Sequence, residues 1–249
     1  MTILHDARNP KAAEYRKALE ARLHSDLPEG LTIVIGGDGY LLRTVHSNDY
    51  EGVFLGLNAG RLGFLLNDVS SWDHVVERVQ SGAYTAHAFP LLEGNFSLAN
   101  GDVVTDKAIN DIYLERASGQ TARLAIGIDG HEVVETLVAD GIVFSTALGS
   151  TAYNFSAGGM ACHPTLSLLA VTPICPHHPR LSPFALPGGS RARVEVRDSD
   201  RRPVRGVTDG RELNDVIAVE LQLSESKVQL AYFDDHDFTG HMVRKILHP

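Results

Sequence analysis

Two cysteines in 249 residues, Cys162 and Cys175, are too few for a disulfide framework and fit a reducing compartment. No apolar run approaches the length of a membrane span, and the opening Met1-Thr2-Ile3-Leu4-His5-Asp6 has no basic region followed by an apolar core, so the expected address is cytoplasmic, with no membrane partner. A basic excess is missing too. The formal net charge is -9, whereas binding to nucleic acid rests on clustered Lys and Arg that neutralise phosphates. Two familiar phosphate signatures also fail: from Gly37 a G-x-G-x-x-G pattern needs glycine where Leu42 stands, and no Gly-Lys-Ser/Thr follows as in a Walker loop. There is no internal repeat, low-complexity tract or long linker. What remains is a globular composition, 43% hydrophobic and 21% charged, long enough for one large or two modest domains, with small molecules as the expected partners.

The most informative stretch is Leu31-Thr32-Ile33-Val34-Ile35-Gly36-Gly37-Asp38-Gly39. Residues 31–35 have the length and branching of a buried parallel strand, and residues 40–46 have helical spacing. Gly36, Gly37 and Gly39 therefore stand at the carboxyl end of a strand. A sharp backbone turn, close approach of a ligand to main-chain N–H groups and the following helix N-terminus all suit a phosphate loop there. Asp38 then reads either as a helix cap or as an acid placed for chemistry.

Strand and helix signals alternate through the first third: residues 2–5 as a strand, 10–24 as an amphipathic helix, 31–35 as a strand, 53–57 as a strand and 71–80 as a helix, with Trp72, Val75, Val76 and Val79 on one side. Such alternation predicts a parallel sheet. From about residue 88 the pattern changes to short alternating strands at 91–98, 123–128, 132–138, 142–145, 193–196, 216–221 and 228–233. Turn signals Asn100-Gly101, Asp129-Gly130 and Asp209-Gly210 separate them, which predicts a mostly antiparallel half. Phe238, Met242, Val243, Ile246 and Leu247 at helical spacing predict a tail helix. The expected organisation is an α/β domain over 1–88 that carries Asp38, a β-rich domain over 89–234, the tail packed back on the first domain, and an active site between the two.

Three further constellations stand out. The segment Gly56-Leu57-Asn58-Ala59-Gly60-Arg61-Leu62-Gly63-Phe64-Leu65-Leu66 is a second strand running into a glycine-rich turn. Asn110-Asp111, flanked by Ile109 and Ile112, offers donors and acceptors suited to sugar hydroxyls and base nitrogens. Asp140 opens a strand that ends in Gly149-Ser150-Thr151-Ala152-Tyr153-Asn154-Phe155-Ser156, a loop crowded with hydroxyls, small residues and an aromatic ring, without compensating charge. A neutral, donor-rich pocket with a ring to stack on suits a nucleoside better than a metal or a free phosphate. Cys162, His163, Cys175, His177 and His178 are zinc-type ligands, yet their spacing lacks the paired pattern of structural zinc sites. His131-Glu132-Val133-Val134-Glu135 misses H-E-x-x-H at its last position, and the arginines from Arg180 to Arg205 are interspersed with acids, as on a solvated β surface.

Taken together, the 36–39 turn, the 56–64 segment, Asn110-Asp111, the 149–156 loop and Thr172-Pro173-Ile174-Cys175-Pro176-His177 resemble the NAD kinase family, in family order. The GGDG turn is shared with diacylglycerol-type lipid kinases and phosphofructokinases; the 149–156 loop separates them. The resemblance implies transfer of the γ-phosphoryl group of ATP to the 2′-hydroxyl of the adenosine ribose of NAD, with Asp38 as general base, Gly36, Gly37 and Gly39 as phosphate loop, and Mg²⁺ or another divalent cation arriving with ATP. It further implies that Asn110 and Asp111 hold ribose and adenine groups, that Thr151, Ala152, Tyr153 and Ser156 wall the dinucleotide site, that Asp140 approaches the nicotinamide end, that Phe64 closes one side, and that Gly39, Thr172 and Arg211 belong to the same site. A homodimer or homotetramer is implied as well.

The chain departs from the family pattern at four places. Tyr40 replaces a common Thr, Asp111 stands where Glu is usual, Val138 fills a position that is often Arg, and Arg211 sits where Gln is frequent. Two other readings stay open: a lipid or sugar kinase using the same turn, and a non-catalytic NAD or NADP sensor that keeps the pocket.

Overall fold

The computed structural model describes residues 2–23, 30–60 and 63–247. His24, the expected end of the first helix, and Arg61-Leu62 of the second glycine turn lie outside the described residues, as does the side chain of Leu247. In chain order the elements are β1 (Thr2–His5), α1 (Pro10–Glu20), β2 (Leu31–Gly36), α2 (Asp38–Ser47), β3 (Val53–Asn58), α3 (Trp72–Ser81), β4 (Tyr84–Leu98), β5 (Val103–Ala108), β6 (Asp111–Arg116), β7 (Ala122–Ile128), β8 (His131–Ala139), β9 (Gly141–Thr146), α4 (Tyr153–Ser156), β10 (Leu168–Ile174), β11 (Phe184–Pro187), β12 (Arg191–Val196), β13 (Val204–Thr208), β14 (Arg211–Leu213), β15 (Val216–Phe233) and α5 (Phe238–Leu247). The architecture is α/β with a parallel sheet, followed by antiparallel β structure and one C-terminal helix. No helix among the described residues is long and apolar enough to cross a membrane.

Contacts divide the chain into two compact units, residues 1–89 with 227–249 and residues 90–226. In the first unit β1, β2, β3 and the end of β15 pair in parallel, with Leu31 opposite Val53 and Leu230 opposite Phe54. Local chemistry sets the helices around them. Asn9 accepts from the amides of Lys11 and Ala12 with Pro10 just inside α1; Ser71 accepts from the His74 amide, and Gly82, in the left-handed region at φ 69°, ends α3. Ile33, Ile35, Leu55, Leu57, Leu19, Val75 and Val79 form one cluster, each fully buried aliphatic side chain stabilising by about 1.5–3 kcal/mol. Tyr15 and Trp72 meet edge to face at 4.7 Å, which ties α1 to α3.

The second unit is antiparallel throughout. One ladder runs through β8, β7, β12 and the first half of β15, and β4 pairs with β5. The other sheet has the order β11-β10-β9-β6-β13-β14. Asp129-Gly130 and Asp209-Gly210 have positive φ at both residues, as two-residue hairpin turns require.

Two expectations need correction. Residues 216–221 and 228–233 are one continuous 18-residue strand. The polar 222–227 stretch between them reads as a turn, yet it holds no glycine, proline or asparagine to break a strand. Strands β5, β6, β10, β11, β13 and β14 add to those expected. In β10, Pro173 weakens the strand signal; there β10 is paired only with β9, since the β11 ladder stops at Val171.

Candidate functional site

In the first unit, Asp38 is the first residue of α2, not its cap: Gly37 holds the cap position and no side-chain bond closes the helix start. The half-buried carboxylate instead reaches the second glycine-rich turn, where Oδ2 accepts from the Phe64 amide at 2.8 Å and Oδ1 from the Leu65 amide at 3.1 Å. A carboxylate oxygen can accept more than one hydrogen bond. The turn needs no left-handed conformation at its glycines; Gly37 is extended at φ -107°. Their use is room. A Cβ at Gly37 meets nothing within 4 Å, and one at Gly39 meets only the Arg43 guanidinium at 3.6 Å, whereas at Gly36 it would press on the Tyr40 ring at 2.9 Å. Tyr40, one of the departures from the family pattern, thus packs where only a glycine permits it.

In the second unit, three consecutive amides, those of Ile109, Asn110 and Asp111, point at the Asp209 carboxylate at 2.6–3.3 Å. This bends the chain into β6 and leaves Asn110 Oδ1 buried with no hydrogen-bond partner among the described residues. Burial first, then the charge of Asp209, push the Asp111 carboxyl up to about 8, against a lowering bond from the Tyr153 amide. Burial also raises Asp209, to about 6, against its three amides and the charge of Arg211. The surroundings of Asp111 thus favour its protonated form, which can donate as well as accept.

The hydroxyl-rich loop sorts into two groups. Thr146 donates to Ile109 O at 2.7 Å and accepts from the Gly149 amide; Ser150 accepts from the Cys162 amide and donates to Ala147 O; Thr172 donates to Asn154 Oδ1, whose Nδ2 holds Ser150 O and Met160 O. These buried groups fix the loop. Thr151, Ala152 and Tyr153 are partly exposed and Ser156 exposed, so they are the residues of the loop left open at its surface. Gly149 lies flat on Asn110, because a Cβ there would overlap the Asn110 backbone. The loop and the Asn110-Asp111 pair thus form one assembly. Asp140 pairs with Arg116 at 2.9 Å and, with Tyr153, Ile174 and Arg205, lines a cavity of about 530 Å³. Arg211 bonds Asp106 at 2.8 Å and Lys107 O, and its charge acts on Asp209.

A family model described as the ATP-NAD kinase C-terminal domain matches residues 109–232. Over 241 residues the chain is 37% identical to an NAD kinase of Cereibacter sphaeroides, which covers 95% of this chain and 94% of that relative. An NAD kinase of Rhizobium meliloti is 35% identical over 236 residues, 94% of this chain and 90% of the relative. The chain belongs to the NAD kinase family. Solved structures share the fold: yeast NADH kinase complexed with NADH has a TM-score of 0.83 at 22% identity, over 100% of this chain and 86% of that one. The NAD kinase of Archaeoglobus fulgidus in complex with ATP has 0.78 at 20%, over 99% and 98%.

Within this NAD kinase fold, several positioning residues carry little sequence signal. Asn67, 1% exposed, donates to Gly56 O and Ala231 O and accepts from the Phe233 amide, which locks β3, the second glycine turn and β15 together. Asp209 read only as half of a turn. An amide in the apolar run Leu65-Leu66-Asn67 is the one hint of the first; nothing local announces the second. Among the described residues no group of three or more His, Cys, Asp or Glu is placed to hold a metal ion. The arginine-rich stretch pairs with acids on the surface, as Arg193 does with Glu195 and Arg205 with Glu115.

Proposed function

We propose that this NAD kinase family member phosphorylates the 2′-hydroxyl of the adenosine ribose of NAD with the γ-phosphoryl group of ATP. The observation that carries the reading is the Asp38 carboxylate, aimed by two backbone amides at the start of a helix beside open glycines, in a chain of this family. Asp38 orients the hydroxyl and takes its proton as the new O–P bond forms and the bond from the γ-phosphorus to the bridging oxygen of ADP breaks. The Arg43 guanidinium, beside Gly39, supplies positive charge for the donor phosphates in place of a Walker lysine. Asn110 Oδ1 accepts from the nucleoside, protonated Asp111 donates to it, and the Tyr153 ring and the Thr151 and Ser156 hydroxyls wall it. Asp140, balanced by Arg116, serves the nicotinamide end.

Among the described residues the carboxylate set is too sparse for a protein-held cation, which fits Mg²⁺ arriving with the phosphates, so MgATP would be the substrate form. The same reading carries a cytoplasmic homo-oligomer. Its test is NADP formation from NAD and MgATP by the purified protein, with a lipid and fructose 6-phosphate as parallel acceptors. NADP with inert parallel acceptors is expected; NAD bound and never phosphorylated overturns the reading in favour of a sensor.

A further inference from the structure

The Gly63–Phe64 peptide is held at both ends. Its N–H donates to Asp38 Oδ2 at 2.8 Å, and its carbonyl lies 2.8 Å from Nε2 of His241 on α5. A carbonyl only accepts, so Nε2 carries the proton. The peptide unit is planar and rigid, with its C=O and N–H pointing opposite ways, so rotating one end rotates the other. His241 is 6% exposed, and its ring stands 5.0 Å from His236, which in turn packs 4.6 Å from Phe238 and 4.6 Å from Tyr232. Gly63 itself is wedged where a Cβ would come within 3.0 Å of both Asn58 and Leu66. The imidazole is therefore fixed by packing, and it in turn holds the tilt of the peptide.

We propose that His241 is a positioning residue for phosphoryl transfer: through the Gly63–Phe64 peptide plane it aims the amide that holds the Asp38 carboxylate. The hydrogen-bond chain from imidazole to peptide to carboxylate also polarises the peptide, which makes its N–H a stronger donor. The inference rests on Asp38 acting as the base.

The groups that titrate or carry charge around this chain are Asp68, 3.7 Å from His241 Nδ1, His236 before α5, Tyr232 on β15 and Arg43 on α2. Burial and the Asp38 charge hold the Tyr232 phenol protonated, so it adds no step between pH 4 and 9.

The experiment compares His241→Ala with His241→Gln, whose Nε2 donor matches the reach of the imidazole Nε2. In His241→Ala, kcat falls about tenfold, the rate equivalent of one hydrogen bond, while KM for NAD stays within about threefold. The acid limb of kcat moves to higher pH, because a loosened amide favours the charged carboxylate less. His241→Gln restores both. Carboxyl ¹³C NMR titration of Asp38 in the ligand-free protein reads the same shift without turnover. A wild type that makes no NADP thus sinks the kinase reading alone, while an Asp38 titration identical in all three proteins sinks this one. Equal kcat in wild type and His241→Ala, or a folded Gln variant no better than Ala, overturns the proposal. If His241→Ala does not fold, His241→Asn replaces it: its amide falls short of Gly63, so Asn must lose turnover where Gln keeps it, and equal behaviour overturns the proposal.

Discussion

Asp38 and Asp111 are both aspartates at the first residue of an element, one a helix and one a strand, and their surroundings suit them to opposite uses. Asp38 is half-buried and meets donors: two amides, at the first turn of a helix. Asp111 is 5% exposed and faces a second buried carboxylate, with one amide in its favour. In the proposed reading the first is a proton acceptor held in aim, and the second is a proton donor to the ligand. Residue type in a motif therefore does not fix chemical role. Solvent access and the sign of the nearest charge do.

The largest effect belongs to the first carboxylate. Asp38→Asn is expected to lower kcat by about two to four orders of magnitude, the usual weight of a general base, with NAD affinity changed by less than about tenfold. The new NH₂ also confronts the Phe64 or Leu65 amide, donor against donor, so part of the loss comes from a displaced turn. Turnover of the variant close to wild type would remove Asp38 from the base role and erase the contrast with Asp111.

Next in size is Gly149→Ala. The added methyl overlaps the Asn110 backbone, which cannot swing aside like a side chain, and overpacking of this kind costs roughly 1–3 kcal/mol. NAD affinity, read by calorimetry on protein shown to be folded by circular dichroism, is expected to fall about tenfold or more, because the Asn110-Asp111 pair and the loop move apart. Unchanged affinity would show that the two motifs bind independently of their contact.

The parts of this comparison differ in how far the sequence reveals them. The 31–35 strand, the turn after it and the two-residue hairpins at Asp129-Gly130 and Asp209-Gly210 are legible because their causes are local: branching, periodicity, and glycine where φ is positive. The hydroxyl-rich loop is legible from its density of Ser and Thr, though Thr146, Ser150 and Thr172 turn out to hold the loop together. What stays hidden is non-local. Asp209 grips an amide 100 residues away, Asn67 bonds to Ala231, and His241 bonds to Gly63. No window of sequence pairs such residues, and a lone histidine on a tail helix reads as one more polar position. The long strand β15 stays hidden for another reason: its polar middle, Ser224-Glu225-Ser226-Lys227, imitates a turn without a turn's backbone chemistry.

The most diagnostic effect is that of Asp111→Asn, the smallest of the three on NAD affinity and one that grows with pH in stability. The Asp111 carboxyl is raised from 3.8 to about 8 in the folded protein, so its contribution to stability is fully present below pH 3.8 and is lost as pH rises through about 8. In that window each pH unit weakens the fold by at most about 1.4 kcal/mol on account of this group. Asparagine keeps the shape and a donor but cannot ionise. Its melting temperature should thus match wild type near pH 4 and exceed it increasingly toward pH 8, with Asp209, Arg211, Tyr113 and Tyr153, the titratable neighbours, common to both proteins. NAD affinity should follow the same logic: wild type loses a few-fold as the donor ionises above about pH 8, and the variant does not. Thermal unfolding between pH 4 and 9 that runs parallel in the two proteins would mean that Asp111 is ionised at neutral pH like Asp38, and that the two carboxylates differ in burial without differing in chemistry.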